Sequence, residues 1–100
     1  MSTAQLLAEA VAWARSSGFF VREDHLDGAG GGHCFVQGGR WLLLDVTQTL
    51  EEQLDDTLDA LADLQNLDRE GASPELLARL EARAATGLTG LSESTLGHAA

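Results

Sequence analysis

His33-Cys34-Phe35-Val36-Gln37-Gly38-Gly39-Arg40-Trp41-Leu42-Leu43-Leu44-Asp45-Val46 is the stretch whose reading decides the fold. Two runs rich in aromatic, β-branched and aliphatic residues flank Gly38-Gly39. Paired glycines suit a tight hairpin turn, because its central residues need positive φ. The pattern predicts strands over 33–37 and 40–46. A turn on the two glycines sets Gln37 opposite Arg40, Val36 opposite Trp41, Phe35 opposite Leu42 and Cys34 opposite Leu43. Side chains alternate between the faces of a strand. Cys34, Val36, Trp41 and Leu43 therefore share one face, and Phe35, Leu42, Leu44 and Val46 share the other. Both faces are apolar, and both want covering.

Upstream, Leu6, Leu7, Ala10, Val11, Trp13 and Ala14 recur at helical spacing, which predicts a helix over 3–17. Ser2 or Thr3 suits its N-cap, and Gly18 its stop. Phe19-Phe20-Val21-Arg22-Glu23 reads as a short strand, and Asp24 to Gly32 as a turn-rich, flexible loop. Downstream, Thr49-Leu50-Glu51-Glu52 fits a capping box that opens a helix ending near Asn66. Its apolar arc is Leu50, Leu54, Leu58, Leu61 and Leu64. Ser73-Pro74-Glu75 opens a third helix, with serine as cap and proline in the first helical position. Leu76, Leu77, Leu80 and Ala84 form its inner face and Gly87 ends it. The expectation is one α+β domain over 1–87: an N-terminal helix, a three-stranded antiparallel meander, then two helices. Residues 88–100, with Leu88, Leu91 and Leu96 among small and polar residues, read as a flexible or docking tail.

Composition narrows the function. The chain has 100 residues, enough for one core, and a formal net charge of -10. That charge argues against nucleic acid, where cationic side chains must displace phosphate counterions. It disfavours anionic membranes for the same reason, and no apolar run has the length to cross a bilayer. The first residues lack the basic and apolar regions of a secretory signal, and the single cysteine, Cys34, can form no internal disulfide. The expected setting is cytoplasmic. All six cations are arginine, as a GC-rich bacterial genome favours.

Candidate sites divide by chemistry. Gly28-Ala29-Gly30-Gly31-Gly32-His33 is glycine-rich, but it leads into a strand, has His33 where a third glycine would stand, and lies beside Asp24 and Asp27. It is no phosphate loop. His25, His33 and Cys34 could serve a small metal- or thiol-dependent enzyme or sensor, the alternative function. His33 and Cys34 point to opposite faces of a strand, so Cys34 reads better as a small buried hydrophobe. Glu51, Asp55, Asp59 and Asp63 form an acidic row at spacing four, with no cation in the same helix to offset the repulsion. That row is a solvated face or a docking surface for a basic partner. No Gly-x-Ser-x-Gly occurs. The expected function is non-catalytic and cofactor-free: a homodimeric interaction module, adaptor- or chaperone-like. Trp41, Leu42 and Leu44 are the candidate apolar contacts, and Asp55, Asp59 and Asp63 the acidic ones.

Over about residues 3–66 the order helix, strand, glycine-rich loop, hairpin, helix resembles the start of small zinc peptidases of the ImmA/IrrE type. Those carry His-Glu-x-x-His on the helix after the hairpin. Here Thr57-Leu58-Asp59-Ala60-Leu61-Ala62-Asp63-Leu64 puts Ala60, Leu61 and Leu64 at the ligand and base positions, so the resemblance implies fold without chemistry. The same residues are similar to small acidic chaperones of type III secretion. That resemblance implies a helix on a meander, dimerisation, and apolar patches that hold a partner's extended chain. The strand pair expected before the last helix of those chaperones is missing here.

Overall fold

A computed structural model describes residues 1–64 and 70–83. The elements are α1 (Thr3–Ser16), β1 (Phe19–Asp24), β2 (Gly32–Val36), β3 (Gly39–Asp45) and α2 (Leu50–Ala62), followed by a helix, α3, over 74–83. The α+β order is the expected one. The expectations for Ala84, Gly87 and the tail 88–100 lie outside the described residues, as does the placing of a helix end at Asn66; α2 closes earlier, at Asp63.

Local chemistry sets the boundaries. Ser2 caps α1 in a full capping box with Gln5, its hydroxyl accepting from the Gln5 amide at 3.2 Å and its own amide donating to Gln5 Oε1 at 2.8 Å. Gly18, at φ +96, makes the exit that a side chain would resist. Thr49 caps α2, accepting from the Glu52 amide at 3.1 Å. The Glu52 carboxylate takes the Thr49 hydroxyl proton at 3.0 Å, where a reciprocal capping box would have used the backbone amide. Ser73 caps α3, accepting from Leu76 N–H at 3.1 Å. Glu9 of α1 grips the same serine, taking its hydroxyl at 2.6 Å and its amide at 2.8 Å.

The sheet corrects the meander. Its order is β1-β3-β2, with β2 antiparallel to β3 and β1 parallel to it. The chain leaves β1, crosses the end of β3, and enters β2 on the far edge. β3 is apolar on both faces, which suits the central position it takes. Three features hold the crossover. A Cβ on Gly31 would lie 1.9 Å from the Leu43 carbonyl oxygen, so only glycine lets the loop pass over β3. Val46 N–H donates to the Asp24 carbonyl at 2.9 Å, continuing the parallel ladder past its last pair. Finally, the Asp45 carboxylate gathers the loop's amides, as described below. The glycine-rich segment is thus a hydrogen-bonded crossover rather than a slack connection.

The hairpin turns on Gln37-Gly38, one residue earlier than expected, with φ of 51 and 79. Val36 faces Gly39, Phe35 faces Arg40, Cys34 faces Trp41 and His33 faces Leu42. Each β2 residue has moved two places along β3, so parity is kept and each face retains its expected residues. The described helices pack on one face. Leu42 and Leu44 pack there with Phe19, Leu6, Ala10, Val11, Ala14, Leu54, Leu58, Leu61, Leu76 and Leu80 in one core. Burying each such leucine contributes about 1.5–3 kcal/mol. Among the described residues no helix is long and apolar enough to cross a membrane.

Candidate functional site

The uncovered face of the sheet carries the exposed apolar surface. Parallel register sets Phe20 beside Trp41, and their rings lie 5.1 Å apart at 32°. Phe20 is 58% exposed and Trp41 40%. Gly39 lies beside the pair: a Cβ there would be in ordinary van der Waals contact, 3.4 Å from Trp41 Nε1 and 3.6 Å from a Phe20 ring carbon. Half-exposed Val36, exposed Cys34 and half-buried Leu43 extend the patch. Among the described strand residues its charges are Arg22 and Asp24, which pair at 3.4 Å. A chain of net charge -10 thus keeps this face nearly neutral.

The expected contact residues separate. Trp41 stands on the open face. Leu42 and Leu44 are 0% and 1% exposed beneath the helices, which makes them core residues and removes them from any contact surface. Cys34 is also corrected: it is exposed, because β2 is an edge strand and its face is open.

The acidic row finds its partners on other elements. Arg79 of α3 binds Glu51, which also accepts from the Thr3 hydroxyl at 3.4 Å. Arg83 donates to both oxygens of Asp59 from one edge of its guanidinium, and His33 Nε2 lies 2.5 Å from Asp63 Oδ2. These bonds hold Glu51 and Asp59 below the usual carboxylate range, against the opposing effect of desolvation. Asp56 moves the other way: burial pushes it up, the charges of Asp59 and Asp55 add to that, and the Gly31 amide opposes it. The row is therefore largely a seam between α2, α3 and β2 instead of a free docking surface. The helix of the row holds no cation of its own. The usable signal was Arg79 and Arg83, which share the four-residue spacing of the acids on the next helix.

Asp45 is the buried polar centre that the sequence did not announce. It is 0% exposed. Its Oδ1 accepts from Leu26 N–H at 3.1 Å, Thr47 N–H at 3.0 Å and the Thr47 hydroxyl at 2.6 Å, and its Oδ2 from Gly30 N–H at 3.1 Å. The Thr47 hydroxyl in turn accepts from Gly28 N–H at 2.8 Å. Burial pushes the Asp45 carboxyl up, and these hydrogen bonds outweigh it, leaving a pKa of about 2. With its oxygens occupied, Asp45 is an anchor for the crossover and no general base.

Where β2 meets the end of α2 lies a cleft of about 300 Å³, lined by Phe19, His33, Cys34, Phe35, Arg40, Asp63 and Leu64. Phe19 meets the His33 ring edge-on at 6.5 Å and 79°. His33 and Cys34 diverge to opposite faces, and His25 is exposed on the crossover, its amide donating to Asp24 Oδ1 at 2.8 Å. The structure does not bring these three together. Among the described residues no three histidine, cysteine or carboxylate groups are placed to hold a metal ion. A second cleft of about 340 Å³ is lined by Ala12, Trp13, Ser16 and Ser17, and among these described residues there is no ionisable side chain.

No family model matches the chain, and neither does any curated protein or solved structure.

Proposed function

We propose that the chain is a non-catalytic, homodimeric protein-interaction module, adaptor- or chaperone-like, that presents the open face of its sheet to a partner in a reducing, cytoplasmic setting. The observation that supports this most is the Phe20–Trp41 pair, two tilted aromatic rings in contact and partly exposed on a face with little charge. Aromatic residues on a low-charge patch are the usual energetic centre of a protein contact. The hydrogen-bonding potential of the polar clusters is spent inside the fold: Asp45 on the crossover, Glu51 and Asp59 on α3. Light scattering behind size exclusion, over a range of concentrations, tests the self-association. The expected mass is twice that of one chain, and a monomer throughout would count against the reading. An apolar dye tests the face: its binding should drop sharply in a Phe20→Ser, Trp41→Ser double variant.

A further inference from the structure

The edge of β2, not the open face, is where we propose that a second copy of this chain docks, about a two-fold axis at Cys34, with each Phe35 entering the other copy's cleft. The proposal rests on the reading that the chain self-associates, and it names the surface.

The two edges of the sheet differ. β1 carries Arg22, Glu23 and Asp24, charges of the kind that blunt an edge against pairing. β2 is Gly32-His33-Cys34-Phe35-Val36, without proline, lysine or acid, and it pairs with β3 without a bulge. The turn closes on Val36 and Gly39 as a hydrogen-bonded pair. Antiparallel alternation then turns the backbone groups of Cys34 toward β3 and those of His33 and Phe35 outward. A second β2 centred on Cys34 sets His33 opposite the partner's Phe35, where both outward N–H and C=O groups find partners. Cys34 meets the partner's Cys34 in the closer, non-hydrogen-bonded kind of pair.

Side chains agree with the backbone. Cross-strand neighbours share a face. The partner's Phe35 therefore lands beside His33, at the cleft walled by Phe19 and Leu64. Phe35 is 67% exposed, an aromatic knob on the same strand as its hole, and such self-complementarity is what a two-fold interface requires. Charge is complementary as well. Arg40, opposite Phe35, has no ion-pair partner among the described residues, while Asp63 stands over His33. Across the axis the order becomes Arg40, Phe35, the partner's His33, the partner's Asp63, which brings a free cation toward a carboxylate. For two chains of net charge -10, an edge strand with no acid of its own is a favourable place to meet. The two open faces would join into one surface, with Phe20 and Trp41 of both copies on the same side.

The test compares wild type, Phe35→Asp and Trp41→Ala by light scattering across concentrations, with circular dichroism to confirm folding. Cys34 is separately oxidised with copper phenanthroline, which removes two electrons and two protons as two thiols join. A wild-type dimer that crosslinks through Cys34, weakens about thirtyfold or more in Phe35→Asp and survives in Trp41→Ala supports the edge. A dimer that persists in Phe35→Asp, is lost in Trp41→Ala, or fails to crosslink overturns the edge and leaves the module reading standing. A wild-type monomer at every concentration overturns both.

Discussion

Arg83 holds Asp59 through two parallel hydrogen bonds, Nε to Oδ1 at 2.5 Å and a terminal nitrogen to Oδ2 at 2.9 Å, tying α3 to α2. The guanidinium fork matches a carboxylate in this geometry. Both side chains remain partly solvated, so the pair is worth about 0.5–1 kcal/mol. Arg83→Gln should lower stability by that amount in low salt, and the deficit should shrink in high salt. Urea melts at two ionic strengths measure it, and an unchanged deficit would mean that packing dominates.

Acid should weaken the fold through Asp45. Its folded pKa, about 2, lies below the ordinary 3.8, so its stabilisation is complete above 3.8 and is lost as pH falls toward 2. Glu51 and Asp59 are also lowered and act in the same direction, while Asp56 is raised and partly offsets them. Asp45→Asn should destabilise the protein at neutral pH and flatten its acid limb. A stability–pH profile as steep as that of wild type would contradict the anchoring role.

Gly31→Ala should be far worse than its size suggests, because the added methyl would meet the Leu43 carbonyl oxygen at 1.9 Å. The expected loss is about 1–3 kcal/mol. Gly28→Ala, at φ +78 with open space around it, should cost only the conformational strain, about 1–2 kcal/mol. Thermal melts of the two variants separate collision from strain.

Neighbouring residues on β3 should behave in opposite ways. Leu42→Ala opens a hole in a filled core and should cost about 2–5 kcal/mol. Trp41→Ala removes a partly exposed ring and should leave the monomer's stability within about 1 kcal/mol. A charged residue at Leu42 accordingly tests folding, and only one on the open face or the β2 edge tests assembly.

Much of this fold was legible because its signals are local. Ser2, Thr49 and Ser73 cap helices by hydrogen bonds a few residues long, and Gly18 ends α1 by its own φ. Face assignments survived the displaced turn because a shift of two residues preserves parity. Strand order was not legible, since parallel pairing of β1 with β3 depends on where a loop crosses, and Gly31 and Asp45 reveal their roles only once the chain lies over β3. The working surface was half legible. Alternation put Trp41 on one face and Leu42 and Leu44 on the other, but nothing local told which apolar face the helices would claim, and that decided the fate of all three.

The strand order also sets an assembly sequence in time. Of the three strands β1 is made first, yet its neighbour among the described residues, β3, ends at Asp45. Until β3 exists, β1 has nothing to pair with, whereas β2 and β3 close across a short turn and form the low-contact-order step. Hairpin substitutions at Gly38 or Trp41 should therefore slow folding, and those at Val21 should chiefly hasten unfolding. On a ribosome the N-terminal strand emerges as an unpaired ribbon, and its Arg22-Glu23-Asp24 run keeps that ribbon charged while it waits.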